Sequence, residues 1–150
     1  MTEMTKLIEL LHAGNYSCVV ENCYGLHTFS RRGVADLYEV YREHAEWLDH
    51  ASLADKVIGK GAAALMVLGG VECVYADVIS TPALMLLREA GIAVTFGQEV
   101  PRIENRTKTG LCPLESACVD LRDATAIYPV IKQFMAKIEK AQQNAQSPQN

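Results

Sequence analysis

Apolar residues near the middle of the chain alternate with polar ones and then merge into a helical pattern. The alternation runs through Val71 and Tyr75 and becomes continuous at Val78–Ile79, which is typical of a β-strand that becomes fully buried. Ser80-Thr81-Pro82 follows, and cap residues next to a proline favour a helix start. We therefore expect a strand that leads directly into a helix, with free backbone N–H groups at the junction.

The same patterns divide the rest of the chain. The predicted elements are a first helix that ends at Gly14, a hairpin of strands 16–22 and 26–30, helices over 34–48 and 56–68, a strand over 92–96, an edge strand over 99–104, a short helix that begins at 112–113 and a terminal helix over 126–140. Ser52 and Asp55 have capping-box spacing, which places the start of the second of these central helices beside Asp55. Gly59 and Gly61 weaken that helix, so we expect them to allow close packing against a sheet.

The order of elements predicts the fold class. Strand–helix–strand over 71–96 implies a parallel crossover, and the hairpin is antiparallel, so the sheet is mixed. We predict a three-layer α/β/α sandwich, with one domain over residues 1–140 and a frayed polar tail over 141–150. A length of 150 residues, 49% of them hydrophobic and 21% charged, suits one globular domain.

Composition narrows the classes of partner. The net charge is −4, and no basic run offers the phosphate contacts that nucleic-acid polymers require. No apolar run reaches the length of a membrane span. The five cysteines are odd in number and form no CxxC motif, which is typical of a reducing compartment. We therefore expect a cytoplasmic protein whose partner is a small molecule, with neither a membrane nor a nucleic-acid polymer involved.

The same order of elements occurs in the cytidine-deaminase-like fold, whose enzymes hold zinc. They require His-x-Glu at one helix start and Pro-Cys-x-x-Cys at the next. Here Pro82 is followed by Ala83 and Leu86 in the two thiolate positions, and the first helix start corresponds to Ala54–Lys56, which has no histidine. His44-Ala45-Glu46 has the right spacing but lies on an earlier helix. We therefore predict no metal site and no zinc-dependent deaminase activity.

Several stretches of the chain resemble one small prokaryotic family, DUF1893, a domain of unknown function. The matching stretches are Ala54–Leu65, Ala76–Leu84, Gly91-Ile92 and Val100–Glu115. The pieces Asn105-Arg106 and Cys112-Pro113-x-Glu115 make the resemblance specific, and it extends over residues 5–135. What it implies is a cytidine-deaminase-like fold without the zinc apparatus and without an established activity.

In such a fold the helix starts near Asp55 and Pro82 converge on one cleft. Two positive helix ends favour a carboxylate, a phosphate or sugar hydroxyls. The candidate ligand-binding residues are Asp55, Lys56, Lys60, Ser80, Thr81, Asn105 and Arg106. Each has a structural alternative: the acid as a helix-start residue, the lysines as exposed side chains, the hydroxyls as caps, and the Asn-Arg pair as a solvated loop. We expect a module that binds a nucleotide or another ribose-bearing or anionic small molecule, with no other cofactor indicated.

Two further hypotheses remain open. In the first, the protein is an enzyme or a covalently modified protein in which Asp55 or Cys112 takes part in group transfer. A predicted helix start at Cys112 favours a thiolate, although a free cysteine is more often a packed core residue, and Glu115 is expected to cap the N–H of Cys112. In the second, the helix over 34–48, with Tyr38, Tyr41 and Trp47, supports a homo-oligomer.

Overall fold

The computed structural model describes residues 2–31, 34–103, 113–118 and 120–146, with side chains at 2, 3, 113 and 141–146 left aside. The elements in chain order are α1 Thr2–Ala13, β1 Cys18–Asn22, β2 Gly25–Phe29, α2 Ala35–Glu43, a 3₁₀ turn Ala45–Trp47, β3 Ser52–Ile58, α3 Lys60–Gly69, β4 Cys73–Ser80, α4 Thr81–Glu89, β5 Ala93–Val100, α5 Pro113–Ala117 and α6 Ala124–Gln146. They alternate as expected for an α/β protein.

The five strands form one mixed sheet in the order β2-β1-β3-β4-β5. The hairpin strands β1 and β2 are antiparallel, and β1 is also antiparallel to β3. The strands β3, β4 and β5 are parallel neighbours, each joined to the next by a helix. The mixed sheet and the parallel crossover predicted over 71–96 are confirmed.

The helices lie on both faces of the sheet. Val19 and Ala54 are register partners that pack with Leu7 and Leu11 of α1. Their chain neighbours Val20 and Leu53 are also register partners, but they belong to the large core formed with the helices α2 to α6. Because successive strand residues point to opposite faces, α1 alone of the described helices covers one face and the others cover the second.

The start of the second central helix was predicted wrongly. Residues 52–58 form the strand β3, and α3 begins at Lys60. The spacing of Ser52 and Asp55 matches a capping box, but the segment pairs with β1 on one side and β4 on the other. Pairing with two strands and burial of the segment outweigh the local helix signal. Asp55 is therefore a strand residue and not a helix-start residue.

Three other boundaries differ from the predictions. Ala93–Val100 is one strand, with no separate strand over 99–103, because Pro101 lacks the N–H that would continue the ladder. The helix predicted over 34–48 ends at Glu43 and is followed by a 3₁₀ turn. The last helix reaches Gln146, where the sequence predicted a frayed tail from residue 141, since alanine and glutamine are good helix formers.

The aromatic residues considered for self-association make contacts within the chain. Tyr41 packs edge-to-face against Tyr128 of α6, with ring centroids 5.2 Å apart. Trp47 stacks between His27 and His44, at 3.6 and 4.1 Å between ring centroids. Packing inside the chain accounts for these side chains, and the homo-oligomer stays a prediction. No helix in the described part of the chain is long and apolar enough to cross a membrane.

Candidate functional site

A cavity of about 840 Å³ lies where the parallel strands end and the helices α3 and α4 begin. It is lined by Lys60, Thr81, Pro82, Met85, Leu86, Glu89, Pro101, Asp120, Leu121, Arg122 and Asp123. Ligands of open α/β sheets bind at this edge. The two helix starts therefore do share one cavity, although the first of them is at Lys60 and not beside Asp55.

The α4 side of the cavity is formed locally. Ser80 is fully buried and its Oγ accepts the N–H of Ala83 at 3.2 Å, so the predicted helix cap is confirmed. Thr81 lines the cavity and donates its hydroxyl to Glu99 Oε2 at 2.7 Å. Met85, which is 56% exposed, and Leu86 continue this side along the helix and give it an apolar surface.

The α3 side is completed by a distant carboxylate. Glu115 Oε2 accepts the N–H groups of Lys60 at 2.8 Å and Gly61 at 3.4 Å. The residue is only 8% exposed, and this burial raises the pKa of the Glu115 carboxyl above its ordinary value, while the two N–H groups act in the opposite direction. Glu115 thus caps α3, whereas the contact predicted with the N–H of Cys112 lies outside the described residues. The α3 helix end is already neutralised from within the chain.

Lys60 makes the return contact. Its Nζ donates to the backbone carbonyl of Cys118 at 2.8 Å, just beyond the end of α5. The side chain therefore lines the cavity and also binds the segment that follows α5. The exposed position that the sequence offered as the alternative for Lys60 does not occur, because the residue is partly buried.

Asp55 lies outside the cavity. It sits inside β3 opposite Cys18 of β1 and Ala76 of β4, and it is 8% exposed. Its Oδ1 accepts the N–H of Val57 at 3.1 Å. Burial raises the pKa of the Asp55 carboxyl to about 7, although hydrogen bonds from Val57, Cys18 and Lys56 lower it. Asp55 was predicted to lie at a helix start beside the ligand, and that prediction is wrong because Asp55 lies inside the strand β3.

The remaining candidate residues do not all lie at the cavity. Lys56 Nζ donates to Asn15 Oδ1 at 2.7 Å, next to the end of α1 and outside the cavity lining. Asn105, Arg106 and Cys112 lie outside the described residues. Of the predicted ligand-binding residues, the structure brings Lys60 and Thr81 together at the cavity, with Ser80 beneath them as a cap.

The family follows from comparison with known proteins. A family model described as "Domain of unknown function (DUF1893)" matches residues 6–135. The chain belongs to the DUF1893 family. None of the curated proteins matches it.

A solved structure of this family has the same fold. The crystal structure of a DUF1893 family protein from Thermotoga maritima is 20% identical, with a TM-score of 0.80 over 87% of this chain and 88% of that one. A diaminohydroxyphosphoribosylaminopyrimidine deaminase/5-amino-6-(5-phosphoribosylamino)uracil reductase from Thermotoga maritima shows a weaker likeness. It is also 20% identical, with a TM-score of 0.42 over 64% of this chain and 35% of that one.

The residues at the helix starts of this DUF1893 chain do not fit a zinc ion. The start of α3 is Gly59-Lys60-Gly61 and that of α4 is Thr81-Pro82-Ala83, so neither offers an imidazole or a thiolate. Within the described ranges, no group of three or more His, Cys, Asp or Glu side chains is placed to hold a metal ion. The carboxylate of Glu115 binds the α3 N–H groups instead.

Sequence reasoning missed the cavity wall formed by residues 120–123. This run, Asp-Leu-Arg-Asp, lies between α5 and α6 and supplies Asp120, Arg122 and Asp123 to the cavity. A polar run between helices is an ordinary loop signal, and nothing in its spacing connects it with α3 or α4. The sequence also missed Met85 and Glu89, because their helical spacing is equally typical of an exposed face.

Proposed function

We propose that this domain binds a small molecule that joins a flat aromatic ring to hydroxyl groups, with nucleosides as the ligand class. The observation that carries the proposal is the composition of the cavity. Pro82, Met85 and Leu86 give it an apolar side, and residues 120–123 give it carboxylates and a guanidinium. A mostly apolar concave surface with a few polar groups is the usual form of a small-molecule site.

The charges favour a neutral ligand over a polyphosphate. The cavity is lined by the cations of Lys60 and Arg122 and by the carboxylates of Glu89, Asp120 and Asp123, so the acids exceed the bases by one. The N–H groups at the two helix starts are also engaged, by Glu115 and by Ser80. Carboxylates accept hydrogen bonds from hydroxyls and repel phosphates. The ribose-bearing part of the original expectation therefore has more support than the anionic part.

Group transfer through Asp55 has less support than binding. Its carboxyl is 8% exposed and does not line the cavity. An acceptor must meet the reacting atom at contact distance, and this position would require β3 to separate from its neighbours. The proposal is therefore binding and not group transfer through Asp55.

Thermal unfolding with a matched set of ligands tests the proposal. Adenosine should raise the midpoint more than AMP, and AMP more than ATP, because each added phosphate meets the excess of carboxylates. A ligand at 100 times its Kd adds about 2.7 kcal/mol to the free energy of unfolding. Met85→Glu, which places a charge on the apolar side, and Asp120→Asn, which removes an acceptor for hydroxyls, should each reduce the effect of adenosine.

The controls are exposed charged residues that do not line the cavity. Arg88→Glu changes the charge of an exposed α4 residue that does not line the cavity, and Glu72→Gln removes an exposed carboxyl before β4. Both should respond to adenosine as the parent does. No shift with any nucleoside, or equal shifts in the cavity variants and the controls, would overturn the proposal.

A further inference from the structure

We infer that α5 and the start of α3 form a clamp that sets the position of the cavity wall, with Glu115 as a positioning residue for the ligand. The ligand part of this inference rests on the proposed function. Glu115 does not line the cavity. Its effect on binding would therefore act through the segment that follows α5.

The clamp has three hydrogen bonds, and in each of them the α3 side donates to the α5 side. Glu115, on α5, accepts the N–H groups of Lys60 and Gly61 at the start of α3. Lys60, at the start of α3, donates its ammonium to the Cys118 carbonyl beyond the end of α5. An anion at a helix N-terminus and a cation at the carbonyl groups beyond a helix end are both favourable arrangements. The side chain of each segment thus binds backbone groups of the other.

Two glycines provide the space for this contact. A Cβ at Gly59 would lie 2.9 Å from Glu115 Oε2, and a Cβ at Gly61 would lie 2.7 Å from Leu114 Cδ2. Leu114 is 5% exposed and belongs to the main core. The sequence attributes Gly59 and Gly61 to packing against a sheet, whereas the structure packs them against α5. Any side chain at these two positions meets α5 first.

The Cys118 carbonyl connects the clamp with the cavity. It accepts the Lys60 ammonium at 2.8 Å and the N–H of Leu121 at 3.0 Å. Leu121 lines the cavity, and Arg122 and Asp123 follow it directly. Release of α5 from α3 would separate the Lys60 ammonium from this carbonyl and displace the polar wall relative to the apolar side on α4. A carboxylate outside the cavity thereby controls how the two sides of the cavity meet.

Hydrogen exchange without ligand tests the clamp itself. Glu115→Ala should speed exchange of the amides of Lys60, Gly61 and Leu121, at least tenfold over the parent. Glu115→Gln keeps an oxygen that accepts the same N–H groups, so it should restore most of the protection. Ser116→Ala, an exposed neighbour on α5, is the matched control and should behave as the parent. Faster exchange at Lys60 and Gly61 with unchanged exchange at Leu121 would show that the wall is not held by the clamp.

Binding of adenosine then tests the positioning role. At a temperature where all variants are folded by circular dichroism, Glu115→Ala should weaken the Kd for adenosine at least tenfold, and Glu115→Gln should recover most of that loss. An unchanged Kd in Glu115→Ala would refute the role. If the parent binds no nucleoside, the proposed function fails and the positioning role fails with it, while the exchange result still decides whether the clamp exists.

Discussion

Two consecutive strand–helix units meet at the cavity and are completed in different ways. The unit β4–α4 needs no distant residue, because its helix is capped by the adjacent Ser80. Its strand has the apolar Ala76 in its buried centre. The unit β3–α3 has Asp55 at the register position of Ala76, and its helix is capped by Glu115, which is 55 residues away. The strand–helix unit β4–α4 is thus completed by residues close in sequence. The unit β3–α3 instead contains the buried carboxyl of Asp55 and depends on the distant carboxyl of Glu115.

The largest effect is expected from removing the ionisable group of β3, which β4 lacks at the same register position. Burial raises the pKa of Asp55 from 3.8 to about 7, so the folded state holds this proton more tightly than the unfolded chain does. The free energy of unfolding should therefore fall as the pH rises from about 4 to about 7, by at most about 4 kcal/mol. Asp55→Asn cannot ionise and keeps an oxygen for the Val57 N–H, so it should remove this loss.

Urea denaturation at about pH 5 and about pH 8 measures the difference. The stability advantage of Asp55→Asn over the parent should be smaller at the lower pH and greatest at the higher one, because the loss is complete only above the folded pKa of Asp55. Glu72→Gln removes an exposed carboxyl and should reproduce the pH profile of the parent. Parallel profiles for Asp55→Asn and the parent would mean that Asp55 is not the group that titrates between these values.

The second effect concerns the distant cap of α3. Gly59 has φ −99° and ψ −178°, a backbone conformation open to any residue, so Gly59→Ala should act only through its contact with Glu115. We expect it to cost about 1–3 kcal/mol, as overpacking does. Glu115→Ala should cost about 2–3 kcal/mol, because it leaves the N–H groups of Lys60 and Gly61 without their charged acceptor.

A double-mutant cycle shows whether these two effects are one. If the added methyl group acts by displacing the carboxylate, Gly59→Ala should cost almost nothing in the Glu115→Ala background. Chemical denaturation of the four proteins gives the coupling energy. Additive losses would mean that the methyl group at position 59 destabilises the protein without displacing the Glu115 carboxylate from the start of α3.

The contrast between the two units also explains what the sequence could predict. Ser80-Thr81-Pro82 carries its own helix signal, so the start of α4 and the role of Ser80 were predicted correctly. The cap of α3 could not be predicted, since Glu115 has no sequence relation to Lys60 and Gly61. Local spacing around Asp55 even favoured a helix, which pairing with β1 and β4 overrode. The mixed sheet was predictable from the order of the elements, whereas the cavity wall depended on where α5 packs.

The smallest effect is expected at the local cap. Ser80→Ala removes the oxygen that accepts the Ala83 N–H, and loss of such a cap costs about 1 kcal/mol. Denaturation at a single neutral pH measures it, with Ser30→Ala as a control at an exposed serine. A loss of stability in Ser80→Ala as large as that in Glu115→Ala would contradict the difference between the two helix caps. A neutral hydroxyl that accepts one N–H would then stabilise its helix as much as a buried carboxylate that accepts two N–H groups. A loss near 1 kcal/mol would instead show that the neighbouring helix depends less on its cap, because Pro82 already fixes part of its first turn.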